Sequence, residues 1–208
     1  DWQTDMFFKG EHVQELDIDQ NVIFEWRSFD HYKFEDSYSG GYDYVHLNSI
    51  AVDYDGHLVV SARDLYEVTK INRLTGEIIW RLNGKNNEFE SINEPVLFKA
   101  QHDFRPVYGK PNYYTVFDNQ GYNYARAVEY LIHPENKTVE KVWEYRHSPD
   151  WYSRAMGCVQ RFLNGNTFVD FPERNLRIVE VNEAGDVLME LMSHGHTNYR
   201  CRRFDWYG

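Results

Sequence analysis

Positive charge is scarce in this chain. Its 208 residues carry 22 Lys and Arg against 33 Asp and Glu, a net charge of −11 and a pI near 5.2. With no basic stripe to displace counterions, the composition argues against a nucleic-acid partner; an acidic excess more often serves solubility. Long apolar runs are absent too, and none approaches the ~20 residues of a membrane-crossing helix. No signal peptide is visible, and the abrupt opening at Asp1-Trp2 reads as a mature or trimmed form. Cysteine is down to two residues, Cys158 and Cys201. One disulfide between them would contribute on the order of 4 kcal/mol. Two free buried thiols fit as well, because a single pair says little about compartment. Asn136-Lys137-Thr138 is a glycosylation sequon, of consequence only in a secreted eukaryotic chain.

What the chain does have is aromatic and β-branched residues. Aromatics make up 17% and charged residues 26%, with 16 tyrosines, a composition that suits a folded β-rich protein and argues against disorder. Residues 42–64, YDYVHLNSIAVDYDGHLVVSARD, read as two short strands joined by the turn Asp53-Tyr54-Asp55-Gly56. Period-2 alternation puts His46 and Asn48 on one side of the first strand. The second strand ends in Ser61-Ala62-Arg63, so a hairpin returns Arg63 to the neighbourhood of His46 and Asn48. A histidine, an amide and a guanidinium at one sheet end suit an oxyanion such as sulfate or phosphate.

Hairpin patterns fill the rest. Residues 12–26 form one, followed by a polar loop over 27–41. Strands at 66–72 and 77–82 complete a group of four with the hairpin of 42–64, and 83–100 is a long connection. The pattern returns at 101–107, 113–119, 125–132 and 139–145, and again at 156–163, 167–171, 176–181 and 187–191. Residues 199–206 read as one more first strand. The closing hairpins resemble one another (ELDIDQNVIFEW, KINRLTGEIIW, EYLIHPENKTVEKVW, VEVNEAGDVLMEL), and three carry a tryptophan: Trp26, Trp80 and Trp143. The repeat is roughly 56 residues, a little longer than the usual propeller blade of about 40–50. The fold expected is therefore all-β, a β-propeller of four-stranded blades, with three full blades and partial ones visible in one domain over 1–208. A β-sandwich gives no reason for the repeat. An open arc leaves strand edges bare. The expectation is that the chain is the C-terminal part of a longer propeller, or that further copies, in a homo-oligomer or filament, cover those edges.

Several blocks, in order, resemble the arylsulfotransferase family, the kind that uses an ester donor rather than nucleotide-activated sulfate. They are FEWRSFDHYKFEDS (24–37), the stretch 42–64, KINRLTGEIIWRLNGKNNEF (70–89), QHDF (101–104), FDNQG (117–121), ARAVEY (125–130), GCVQRFLNGNTFV (157–169) and NYRCRRFDW (198–206). TGEIIW alone is common in propellers; His-x-Asn-Ser with Ser-Ala-Arg, then Gln-His-Asp, then Phe-Asp-Asn, is specific. The resemblance implies a six-bladed propeller with its site at the central channel, secreted or periplasmic, needing no cofactor and no metal. A phenolic sulfate ester would donate its sulfuryl group to a histidine and a phenol would take it on. Carried over by position, His102 is the nucleophile, His46, Asn48 and Arg63 hold the sulfate, and Asp118, Asn119 and Arg126 support them. The chemistry is sound without the resemblance, since a neutral imidazole is a competent nucleophile near pH 7 and covalent catalysis divides one hard transfer into two.

Each candidate has a plainer reading. His46 can be a hydrogen-bonded strand-end histidine, His102 with Asp103 a structural pair, and Arg63 a surface partner of Asp64 or Glu67. Asp53-x-Asp55-Gly56 lacks the remaining ligands of a calcium loop and reads as a turn. His194-Gly195-His196 has metal-like spacing but no third ligand. The tryptophans read as packing between blades. The second functional expectation is a non-catalytic extracellular propeller of the same descent serving as a structural or filament subunit; a lectin-like binder using the channel is a third.

Overall fold

The computed structural model describes residues 7–120, 124–173 and 175–204. Strands β1 (His12–Leu16) and β2 (Val22–Arg27) form a leading hairpin. A four-stranded antiparallel sheet follows, β3 (Leu47–Val52), β4 (Leu58–Ala62), β5 (Glu67–Ile71) and β6 (Ile78–Asn83), in strict sequence order. The next sheet orders β8 (His102–Pro106), β9 (Tyr113–Asp118), β10 (Arg126–His133) and β11 (Thr138–Arg146), with the two-residue β7 (Glu90–Ser91) added in parallel on the outer edge of β11. The last orders β12 (Cys158–Arg161), β13 (Thr167–Phe171), β14 (Asn175–Val181) and β15 (Val187–His194). Sequential four-stranded antiparallel sheets, each packed on the next, are the blades of a β-propeller.

Three apolar clusters hold the blades face to face. Trp26 and Tyr32 from the leading hairpin and its loop pack on Leu58, Val60 and Ile71. Val59, Val68 and Trp80 meet Phe104, Tyr114 and Val128 between the first two full blades. Phe117, Ala127 and Tyr145 meet Val159, Val169 and Phe171 between the second and third. Trp26 and Trp80 are packing residues, each almost wholly buried. The burial explains the sequence: β4 is buried at every position because both of its faces are covered, so Leu58-Val59-Val60 is a continuous apolar run rather than an alternation. In contrast β15, the outermost strand of the last blade, is exposed at nearly every position.

Four expectations need correction. Residues 199–204 carry no strand; the segment runs beside β12 and bonds to it, in the main, through side chains, with Cys158 Sγ donating to Cys201 O (2.6 Å) and Gln160 Nε2 to Arg203 O (2.9 Å). Residues 205–206 of that expected strand, and Gly121 of the FDNQG block, lie outside the described residues. The connection 83–100 contains β7, and the loop 27–41 holds two short 3-10 turns, Ser28–Asp30 and Phe34–Asp36. The alternation assumed for His46 and Asn48 fails, because β3 begins at Leu47 and its register with β4 shifts between Leu47 and Ser49. Asn48 is the extra residue of that bulge, and His46 precedes the strand with φ 53°.

Candidate active site

Two neighbouring blades present the same feature at the same place: a residue entering the innermost strand and one leaving the second. In the first of them these are His46 and Arg63, linked by a hydrogen bond from Arg63 N to His46 O (3.0 Å). In the next they are His102, the first residue of β8, and Asn119, just past the end of β9. Register shifts mark both places, after Leu47 and after His102. Such bulges re-aim side chains beside sites. His46 and His102 lie with ring centroids 6.5 Å apart, so the blade stacking joins what the sequence separates.

His102 is 1% exposed. Its Nδ1 lies 2.9 Å from Asn119 Oδ1 and 3.2 Å from Ala100 O. Burial pulls its pKa down to about 4, with Arg63 and His46 acting in the same direction against the Asn119 bond, so the imidazole is neutral near pH 7. Asn48 sends Nδ2 to Gln101 O (2.6 Å), fixing the backbone next to His102, while its Oδ1 is buried with no hydrogen-bond partner. Arg63 bonds Asp64 through one terminal nitrogen, and its buried Nε has no partner. His46 Nδ1 meets Asp43 Oδ2 at 2.8 Å, and its side chain remains 38% exposed.

Arg126 is placed differently. Its Nε bonds Asp118 (2.9 Å), one terminal nitrogen bonds Glu94 (2.7 Å) and Glu144 (2.8 Å), and the other bonds Leu97 O (2.8 Å). Every nitrogen of the guanidinium makes at least one hydrogen bond to the second full blade or to the connection that leads into it. Asp118 is its buried counter-ion and also accepts from Lys99 N (3.0 Å).

The C-terminal segment brings further groups that the sequence reading did not single out. Tyr199 places its ring 6.3 Å from His102. Arg200 donates to Asn48 O (3.1 Å) and lies 3.3 Å from Asp103 Oδ1. Arg202 holds both Asp103 oxygens at 2.6 Å. Asp103, fully buried with φ 55°, also accepts from Arg105 and from Val159 N (3.1 Å). Three arginines thus converge on one buried carboxylate in the residue after His102. The signal for them was present: three arginines within 200–203, in a chain short of positive charge.

A cavity of 310 Å³ is lined by Asn48, Arg105 and Arg200 along with Leu47, Ser49 and Ile50. A larger one of 720 Å³ lies between β1 and the β3 face, and none of His46, Arg63 or His102 lines it. Both cysteines are free, with burial pushing the Cys158 thiol up to about 12. Among the described residues, no group of three or more His, Cys, Asp or Glu side chains is placed to hold a metal ion. No helix among them is long and apolar enough to cross a membrane.

A family model described as Arylsulfotransferase (ASST) matches residues 1–195. No curated protein matches the chain. Among solved structures, a protein of unknown function from Bacteroides caccae aligns with a TM-score of 0.54 at 12% identity, over 92% of this chain and 63% of that one. The β-propeller domain of Myceliophteria thermophila Cps50 (Swd1) aligns with a TM-score of 0.48 at 12% identity, over 75% of this chain and 46% of that one. The chain therefore spans less than two thirds of the length of either structure.

Proposed function

We propose, for a chain that belongs to the arylsulfotransferase family, that it moves a sulfuryl group from a phenolic sulfate ester to a phenol through His102. The observation that carries this is a buried neutral imidazole beside Arg63, whose Nε is buried without an acceptor. A scaffold gains nothing from an unpaired guanidinium nitrogen at that place, whereas a bound sulfate oxygen would supply the missing acceptor.

In the first step the imidazole lone pair forms an N–S bond. The ester S–O bond breaks, and its electron pair leaves with the phenolate. In the second step the oxygen of the acceptor phenol attacks sulfur, the N–S pair returns to the ring, and the phenolic proton is lost to solvent. The first phenolate takes up a proton from the same source, so the exchange balances. Charge on the transferred group spreads over its three oxygens, and fixed donors at those oxygens supply most of the stabilisation, as in phosphoryl transfer. Arg63 and His46 lie close enough to His102 to act on its charge, and Arg200 reaches the neighbouring Asn48 and Asp103. The depressed pKa keeps the ring a nucleophile in mildly acidic solution. The family membership also underlies our proposal that the chain works outside the cytoplasm, secreted or periplasmic, as part of a six-bladed propeller.

The test is sulfuryl transfer from 4-nitrophenyl sulfate to phenol, with this chain and with His102→Ala. Phenol-dependent release of nitrophenol that the substitution abolishes is the expected result. Release that persists at full rate in folded His102→Ala protein would sink the assignment of the nucleophile. No release from the folded chain, together with none from a longer natural chain, would sink the activity.

A further inference from the structure

Resting on that reading of His102, the inference concerns which ring nitrogen reacts and what decides it. An imidazole has two nitrogens, and in the neutral ring one carries the proton and the other the lone pair. Only the lone-pair nitrogen attacks sulfur. A tautomer left to chance would halve the competent population or worse, so the holding of the proton is itself a part of the site.

The holder can be traced outward from the ring. Asn119 is fully buried. Its Nδ2 lies 2.9 Å from Ser153 O and 3.2 Å from Met156 O. Carbonyl oxygens only accept, so both of these neighbours demand the amide NH₂ and exclude the flipped orientation. Asn119 Oδ1 is thereby turned to His102 Nδ1 at 2.9 Å, and an amide oxygen only accepts. Ala100 O, 3.2 Å from the same nitrogen, also only accepts. The His102 nitrogen that faces two acceptors must be the one bearing hydrogen. Both hydrogen-bond contacts shown for the ring fall on Nδ1, so Nε2 keeps the lone pair.

We infer that Asn119 is a positioning residue: clamped by the carbonyls of Ser153 and Met156, it fixes the His102 proton on Nδ1 and leaves Nε2 as the nitrogen that takes the sulfuryl group. Nδ1–H stays in place throughout the transfer. Nε2 forms and later releases the N–S bond, and the Asn119 oxygen meets the positive charge that the ring acquires when Nε2 is sulfurylated. The backbone framing the relay is unusual at each end. Ala100 (φ 50°) and Met156 (φ 67°) both occupy the left-handed region that side chains other than glycine's seldom adopt. Gly157, at φ 101°, has the ring of Phe117 2.5 Å from where a Cβ would stand, so the segment that supplies the carbonyls is pressed directly onto β9, from whose end Asn119 projects.

The experiment reads the tautomer itself, by long-range ¹⁵N–¹H correlation of the imidazole in ¹⁵N-histidine-labelled full chain, with kcat and KM measured beside it. Wild-type protein should show His102 protonated at Nδ1 alone. Asn119→Ala, which leaves only the longer Ala100 contact, should show a mixture of tautomers, and kcat should fall roughly ten- to a hundred-fold with KM little changed. Asn119→Asp keeps an acceptor at Nδ1 whether or not its carboxyl is ionised, so it should retain the wild-type tautomer; it serves if the alanine variant does not fold. His102 protonated at Nε2 in wild-type protein, or a pure Nδ1–H ring in folded Asn119→Ala, would overturn the inference. The spectrum needs no turnover: an inactive wild-type chain showing the expected tautomers would count against the activity and not against the clamp.

Discussion

At the scale of single residues the site is governed by one contrast: His102 is buried and neutral, and Arg63 beside it is charged. The His102 pKa, down to about 4 from an ordinary 6.5, places its loss of nucleophilicity at unusually low pH. The acid limb of kcat/KM should therefore fall near pH 4; a limb near 6.5 would show that the imidazole is not held in this environment. The same shift affects stability. A histidine whose folded pKa is depressed contributes fully above pH 6.5, where both states are neutral, and the contribution is lost as pH falls from 6.5 to about 4. Arg63, proposed at the sulfate, and Asn48, whose amide nitrogen donates to the neutral carbonyl of Gln101, should also separate. A hydrogen bond to a charged group contributes about 1.5–3 kcal/mol against about 0.5–1.5 for a neutral one. Arg63→Ala should thus lower kcat/KM by roughly ten- to a hundred-fold, since each 1.36 kcal/mol is about tenfold. Asn48→Ala should cost less, and the reverse order in steady-state kinetics would contradict the placement of Arg63 at the sulfate.

At the scale of elements, the hairpin of β4 and β5 carries a buried carboxyl with an odd balance. Glu67, on β5, accepts from Thr69 Oγ1 (2.8 Å) and Arg81 (3.2 Å) through Oε1, while Oε2 is buried without a partner. Burial pushes its pKa up to about 7, and Arg81 and Thr69 only partly offset that. The sign is opposite to that of His102. A carboxyl whose folded pKa is raised contributes most below its unfolded value of 4.5, and the contribution is lost as pH rises through about 7. Glu67→Gln keeps the acceptor for Thr69 and removes the buried charge. It should be more stable than wild type at pH 8 by roughly 1–3 kcal/mol and nearly equal at pH 4.5. Urea titrations at the two pH values check this, and equal midpoints at both would refute it. The inner strands themselves follow simple rules: β4 is apolar throughout because neighbouring blades cover both faces, and bulges at the site ends of β3 and β8 release the backbone from the ladder where side chains must be aimed.

At the scale of the whole molecule, the segment after β15 returns to tie the last blade to the one before it. Arg202 meets Asp103 across a sequence separation of 99 residues, and Val159 on β12 meets the same carboxylate. Removing one partner of a buried pair costs about 3–5 kcal/mol when the remaining charge is orphaned. Asp103 keeps Arg105, Arg200 and a backbone N–H, so Arg202→Ala should cost less, on the order of 2 kcal/mol. It should also open the 198–204 segment to proteolysis and weaken transfer, because Tyr199 and Arg200 ride on it. Unchanged cleavage there would show that the segment is held by other contacts. The exposed outer blade, with Val187, Leu188 and Leu191 each about half exposed, offers an apolar face of the kind that a neighbouring blade covers elsewhere in this molecule.

The sequence by itself determined the blade pattern. Four-strand repeats, turn residues such as Gly56 and the tryptophan-bearing closing hairpins follow from side-chain period and backbone sterics, both local in the chain. It also pointed to His46, Asn48 and Arg63 through the hairpin that gathers them, and to His102 through the resemblance of the Gln-His-Asp block to the family. What only the tertiary structure decided is which of those residues meet. Blade stacking set His46 beside His102, and the pairing of β8 with β9 set Asn119 against its ring, whereas Arg126 went into an ion cluster although its strand looks no different in sequence. Expected as a strand, residues 199–204 became a strap, since β12 bonds it largely through side chains, and hydrogen-bond partners far along the chain cannot be read from local alternation.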